Sequence, residues 1–283
     1  MASVITLTTD FGLNDGYVAA MKGVILSINP DVILVDVSHT IRHQNVREGA
    51  FVLGTAYRYF PEGTIHVAIV DPGVGTARRG LVLKGAGYYF VAPDNGVLSY
   101  VLADAVEQAN PAPHHEEAGS PEDEKRNLPS GFEAVALTKR RYWCPTVSDT
   151  FHGRDIFAPV AAHLSLKVPL GEFGEPISSL LAFPRPCPTA TDDGAVQGEV
   201  VHIDGFGNLI TNVRAEGLPT GEVEIEVAGH RIDGISRSYQ EGEGLLAIFG
   251  SAGYLEVSER NGSAASRIGA EIGTPVIVRP LGG

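Results

Sequence analysis

Short apolar runs alternate with amphipathic stretches over the first quarter of the chain. The pattern predicts strand, helix, strand, helix, strand. Val4 to Thr8 is a strand, followed by the polar turn Thr9-Asp10-Phe11-Gly12. From Asp15 to Ile28, Val18, Met21, Val24 and Ile25 recur at helical spacing, and Pro30 stops the run. Val32 to Val37 is an apolar strand interrupted only by Asp36. Arg47 to Tyr59 is a second helix, with Ala50, Phe51, Leu53, Gly54 and Tyr57 on its inner stripe, and Ile65 to Val70 is the third strand. Such alternation implies an α/β domain with a mostly parallel sheet and right-handed crossovers.

The pattern then changes twice. Leu81 to Val91 reads as a hairpin turned at Gly85-Ala86-Gly87, and Leu98 to Asp104 as a short helix after Asn95-Gly96. Residues 110–131 are rich in Pro, Glu, Asp and Ser and almost lack aliphatic residues, so an exposed, mobile insertion is expected. His114-His115 within it read as solvated rather than metal-binding. The Pro-rich stretch Phe183 to Pro188 suggests a linker over 184–192, between an N-terminal domain of residues 1–183 and a C-terminal domain of residues 193–283. Beyond it, Val196 to Ile203, Glu222 to Val227, Leu255 to Val257 and Thr274 to Arg279 are short strands punctuated by Gly229, Gly234, Gly250 and Gly253. A small antiparallel β-barrel is expected there.

Composition narrows the function classes. Hydrophobic residues make up 43% of the 283, enough for two cores. A formal net charge of -13 repels phosphate backbones and argues against nucleic acid as partner. Two cysteines, Cys144 and Cys187, supply neither a disulfide framework nor a CxxC metal pair. The N-terminal residues read as a strand, and no apolar stretch is long enough to span a bilayer, so a cytoplasmic protein is expected.

Ligands of open parallel sheets bind beyond the carboxyl ends of the strands. Asp10 and Asp71 stand there, and either carboxylate can hold ribose hydroxyls, hold a metal or polarise water; capping the next turn explains it equally well. Asp71 opens the tight Asp71-Pro72-Gly73-Val74-Gly75-Thr76-Ala77-Arg78 loop, which lacks the GK[ST] ending of a P-loop. The loop brings a carboxylate and a guanidinium near one another, and one of Arg78 and Arg79 is expected to be solvated. His152, between Phe151 and Gly153 in a loop, reads as a site residue more than a packing one. In the second domain, Asp204-Gly205-Phe206-Gly207-Asn208 reads by itself as a Gly-rich β turn with Asp and Asn in turn positions, although Asn208 is an amide suited to reading an adenine edge or an amino-acid head group and Phe206 is able to stack on a base.

Together, TTDFGLNDGYVAAMKG, VDPGVGTARR, APDNG, TFHGRD, IDGFGNLITN and FGSAGYLE, in that order, resemble the S-adenosyl-L-methionine (SAM) hydrolases, or SAM hydroxide adenosyltransferases, which share a fold with the bacterial fluorinase and chlorinase. The resemblance covers nearly all the chain except residues 110–131. It implies a homotrimer whose active sites lie between the N-terminal domain of one subunit and the C-terminal domain of the next. It further implies that Asp71, Arg78 and His152 are the hydrolytic set. Arg78 would favour hydroxide character, Asp71 orient Arg78 and the water, and His152 hydrogen-bond the water or accept its proton. Asp10 matches the residue that holds the ribose hydroxyls. Asp204 and Asn208 match positions that bind the methionine amine and the adenine. Ser251 matches a residue near the methionine carboxylate, and Tyr239, beside a gap, matches an aromatic that stacks on adenine. Phe151, Asn95, Phe206 and Gly262 complete the expected substrate-binding set. Gln44 stands where many relatives carry an aromatic, and Ile210 is near a Trp of the halogenases.

The expected reaction is hydrolysis of SAM to adenosine and L-methionine, with no metal or cofactor. Halide-dependent adenosyl transfer, a non-catalytic SAM or adenosine binding module, and a metal hydrolase built on Asp10, Asp71 and His152 are the alternatives.

Overall fold

The computed structural model describes residues 2–109, 124–241 and 244–281. The described chain forms two compact units, the first running to Arg185 and the second beginning at Pro186.

The first unit begins with β1 (Val4–Thr9), α1 (Tyr17–Ile28), β2 (Ile33–Ser38), α2 (Val46–Ala56) and β3 (Ile65–Ile69). The hairpin β4 (Gly80–Gly85) and β5 (Tyr88–Pro93) follows, then α3 (Ser99–Ala109). Ala86 and Gly87, between β4 and β5, both have positive φ, the geometry that a two-residue hairpin loop needs. The remaining elements are β6 (Glu124–Asn127), β7 (Glu133–Ala136), α4 (Ala158–Ser165), β8 (Pro176–Ile177) and β9 (Ser179–Ala182).

Seven of these strands make one sheet in the order β2-β1-β3-β5-β4-β7-β8. Its first four strands are mutually parallel; the other pairings are antiparallel. One apolar cluster joins Val18, Met21 and Ile25 of α1 to Val160 and Leu164 of α4 over one sheet face. A second joins Leu53 of α2 to Val101 and Leu102 of α3 over the other. The result is three layers, helix, sheet, helix. Edge position explains why the apolar β2 is not fully buried, with Ile33 51% exposed.

Three expectations change here. Glu124–Asn127, inside the stretch read as a mobile insertion, is a strand paired antiparallel with β9, because backbone pairing does not require aliphatic side chains. The rest of that insertion that lies in 110–123, with His114-His115, is outside the described residues. Helix α3 continues past Asp104, which is buried rather than terminal: it accepts from Tyr57 Oη at 3.0 Å and pairs with Arg58 and Arg185. Within the span read as linker, Arg185 is tied to Asp104 and Glu107, while Thr189–Ala190 forms a short strand.

That strand, β10 (Thr189–Ala190), opens the second unit, followed by β11 (Val196–Ile203), β12 (Leu209–Arg214), β13 (Val223–Val227), β14 (His230–Asp233), β15 (Leu245–Phe249), β16 (Tyr254–Glu259), a short α5 (Ala264–Ile268) and β17 (Pro275–Pro280). The antiparallel order is β14-β13-β17-β11-β12-β16-β15, with β10 paired to β11. A Ser236–Ile248 bridge brings the segment after β14 to β15, so the sheet nearly closes into a barrel around Val200, Ile225, Val257 and Val278.

Candidate active site

The parallel order sets where chemistry can occur. From β1 the chain crosses to β2 on one side; from β2 it passes over to β3 on the other side of β1. The loops leaving β1 and β3 therefore diverge and open a crevice at the switch point. Thr9 pairs with Ile69, so Asp10 and the segment Val70-Asp71 leave the sheet side by side.

The loop from Asp71 to Arg78 turns back on itself through Val74 N–H to Asp71 O and Thr76 N–H to Gly73 O. Gly75 has φ +77°, and a Cβ there would lie 2.5 Å from Asp149 O, so this loop sits directly against the segment leading to His152. Arg78 Nε donates to Asp71 Oδ1 at 2.9 Å, and its Nη2 donates to Asp71 Oδ2. The same Nη2 lies 2.9 Å from His152 Nδ1. Side-chain exposures of 11% for Arg78 and 5% for Asp71 make this a largely desolvated pair. The guanidinium also rests 5.2 Å from the centre of the Phe157 ring.

His152 immediately precedes the π-helical turn Gly153–Phe157, an irregularity frequent at functional sites. Burial and, secondarily, the Arg78 charge hold its imidazole below the usual histidine range. An arginine has donors only, so His152 Nδ1 is the acceptor of this bond and the ring proton of the neutral imidazole is on Nε2.

Asp10 is buried, and its Oδ2 accepts the backbone N–H of Gln44 at 2.8 Å. Gln44 has φ +63°; its exposed side chain presents no aromatic surface, whereas its backbone braces Asp10. Phe151 forms an aromatic cluster with Phe11 and Tyr17, at centroid distances of 5.6 and 5.1 Å. Asn95 is turned inward: Nδ2 donates to Val70 O at 2.8 Å and Oδ1 accepts from Val97 N–H.

Of the paired arginines Arg79 is the solvent-facing one, its side chain 37% exposed against 11% for Arg78, but it is ion-paired as well. Arg79 donates to Asp94 Oδ2 through Nε at 2.9 Å and reaches Ser179 O at 3.1 Å, while Asp94 N–H returns to Arg79 O at 2.8 Å. A buried Asp94 requires a charged partner, which the pattern of Gly and Pro in this loop did not reveal. Asp94 was visible only as part of the APDNG motif. Consecutive residues, Asp94 and Asn95, thus hold the two ends of the loop that carries Asp71 and Arg78.

In the second unit, Asp204 Oδ1 accepts the N–H groups of Phe206 and Asn208, both at 2.9 Å, and Oδ2 accepts Asn208 Nδ2. Asp204 therefore shapes its turn and orients Asn208, whose Oδ1 is directed away from that bond. Phe206 is 81% exposed, Tyr239 is also exposed, and Tyr239 Oη donates to Glu256. Ser251 and Gly262 are exposed in the loops on either side of β16, and Ile210 is buried in β12. Among the described residues no group of three or more His, Cys, Asp or Glu is arranged to hold a metal ion, and no helix is long and apolar enough to cross a membrane.

Residues 5–174 match the SAM hydroxide adenosyltransferase N-terminal domain and residues 198–277 the C-terminal domain. The chain is 38% identical to the (R)-S-adenosyl-L-methionine hydrolase of Thermus thermophilus, over 95% of this chain and 96% of that one. It is 31% identical to a fluorinase of an Actinoplanes species, over 76% of this chain and 73% of that one. Its fold is similar to that of an uncharacterized conserved protein from Thermotoga maritima, with a TM-score of 0.83, 31% identity and coverage of 97% and 99%. On the evidence of two successive domain matches and relatives aligned along nearly its full length, the chain belongs to the SAM hydroxide adenosyltransferase family.

Proposed function

We propose that this protein hydrolyses SAM to adenosine and L-methionine by attack of water or hydroxide at the ribose C5′. The observation that carries the reading is the Asp71–Arg78–His152 constellation at the sheet's switch point, in a chain aligned end to end with SAM hydrolases.

The chemistry asks little of a general acid. A new O–C5′ bond forms as the C5′–S bond breaks, and the electron pair passes to sulfur, which leaves as a neutral thioether. Water supplies the oxygen, and one proton is released to solvent. Orientation of the nucleophile contributes about 7–11 kcal/mol at the limit.

Both oxygens of Asp71 are occupied by Arg78, and His152 Nδ1 accepts from it. In this reading Arg78 supplies positive potential for hydroxide, Asp71 fixes the guanidinium, and His152 donates Nε2–H to the nucleophile oxygen. Donation replaces the alternative in which His152 accepts the water's proton. Asp10 holds the ribose hydroxyls, Asn208 reads the adenine, and Phe151, Phe206 and Tyr239 provide apolar contact. No metal or cofactor enters the scheme; a chelator should leave turnover unchanged.

We also infer a homotrimer in which the second unit of a neighbouring subunit completes each site. The exposed rings of Phe206 and Tyr239 are apolar surface that such a neighbour would cover. Sedimentation equilibrium should return three times the 29.9 kDa chain mass. A cytoplasmic location follows for an enzyme that consumes SAM where it is made.

The decisive experiment is turnover of SAM in isotopically labelled water. Label in the adenosine 5′-hydroxyl is expected; unlabelled adenosine would refute attack at C5′. Halide-dependent release of methionine with a 5′-halo-5′-deoxyadenosine in place of adenosine would favour adenosyl transfer, and SAM retained unchanged would favour a binding module.

A further inference from the structure

Strand β2 ends beside the strand that leads to Asp10, and the first residue beyond it is a buried histidine that the reaction scheme does not use. His39 is 4% exposed. Its Nδ1 lies 2.8 Å from the hydroxyl of Thr9, the fully buried residue before Asp10. Its carbonyl accepts the N–H of Gly12, two residues after Asp10, at 2.7 Å. One residue thus holds both ends of the Thr9-Asp10-Phe11-Gly12 turn, by its ring on one side and its backbone on the other.

The far side of the ring faces Asp36. His39 Nε2 lies 2.9 Å from Asp36 Oδ1, bent off the direction of a full hydrogen bond, and Asp36 Oδ2 accepts from Lys22 Nζ at 2.6 Å. A bare nitrogen lone pair that close to a carboxylate oxygen would be repelled, so Nε2 carries a proton. In the neutral ring Nδ1 then accepts from the Thr9 hydroxyl. Thr9 Oγ1 in turn accepts Phe11 N–H at 3.3 Å. The donors therefore all point one way, from the Phe11 amide through Thr9 and His39 toward Asp36.

Asp10 is also tied to the segment after β2, where Gln44 N–H donates to its Oδ2. The ring–hydroxyl bond is a side-chain tie that substitution can remove while leaving both backbone contacts in place. Replacing a buried polar pair by apolar groups of the same shape costs little stability. What the polar pair adds is direction.

We propose that His39 is a positioning residue for the ribose: through Thr9 it sets the direction in which the Asp10 carboxylate meets the ribose hydroxyls. The inference rests on the SAM-hydrolase reading, in which Asp10 holds those hydroxyls. The His39 side chain, 2% exposed, is too buried to touch substrate itself. Loss of the tie weakens recognition of the hydroxyls and leaves the contacts to adenine alone.

The test compares Thr9→Val, His39→Leu, their double variant and His39→Asn with the unmodified protein. Each is titrated calorimetrically with adenosine and with 2′,3′-dideoxyadenosine, and the ratio of the two affinities reads the hydroxyl contact. The ratio should fall about tenfold in Thr9→Val and in His39→Leu, be no lower in the double variant, and return to within about threefold of the unmodified value in His39→Asn, whose amide oxygen stands near the place of Nδ1. Affinity for 2′,3′-dideoxyadenosine held within about twofold shows that each variant is folded. A ratio unchanged in Thr9→Val and His39→Leu, or equal losses of affinity for both nucleosides, would overturn the assignment. An unmodified protein with no preference for adenosine would overturn it too. If the unmodified protein releases no adenosine from SAM, the hydrolase reading itself has failed, while the affinity ratio still decides the role of His39.

Discussion

Arg78 Nη2 lies 2.9 Å from His152 Nδ1, and this one contact decides which ring nitrogen of His152 carries the proton. Protonating Nδ1 would set two donors against each other and add a positive charge beside the guanidinium. Neutral His152 is therefore the competent form. Its pKa is depressed, so activity should be flat through the ordinary imidazole value of 6.5 and fall only below it. A pH profile of kcat measures this, and an acid limb at or above 6.5 would contradict the tautomer.

Arg78 makes a forked contact with Asp71 while also reaching His152, a geometry a single ammonium cannot reproduce. Arg78→Lys should lower kcat about 100-fold or more, with KM for SAM changed less than about threefold. Steady-state kinetics separate the two; a KM effect alone would make Arg78 a binding residue.

Asn95 donates to the carbonyl of Val70, the residue before Asp71. We propose that Asn95, expected to bind substrate, acts as a positioning residue through this bond. Asn95→Ala frees the entry to the catalytic loop, and a displacement near 1 Å costs on the order of 100-fold in rate. The expected result is lower kcat with KM preserved; raised KM with normal kcat would restore the substrate contact.

His66 is fully buried among Tyr57, Phe60, Tyr88 and Phe90, and burial pushes its pKa down to about 4. The unfolded chain protonates it near 6.5, so the unfolded state binds more protons between these values. The contribution is fully present above 6.5 and is lost as pH falls toward 4, about 2 kcal/mol of it by pH 5. Urea unfolding at pH 7 and pH 5 should show that loss in the unmodified protein, and replacing His66 with Gln should reduce the difference.

Local pattern was enough for much of the fold. The alternation from Val4 to Val70 determined the parallel unit, because strand and helix periodicities are written in consecutive residues. Gly85-Ala86-Gly87 marked its hairpin for the same reason. Edge position, the pairing of β6 with β9 and the near-closure of the barrel depend on partners far along the chain, and periodicity is silent about them.

At the candidate site, Asp71 and Arg78 were legible as one loop and His152 as a residue of interest. What only the tertiary structure decided is that Asp71 and His152 share one nitrogen of Arg78, that the half-exposed Arg79 clamps Asp94, that Asn95 turns inward, and that the Gln44 backbone braces Asp10. Residue type and spacing determine which groups are available. Hydrogen-bond direction and burial determine what each can do, and both are set by neighbours that the linear order does not place side by side.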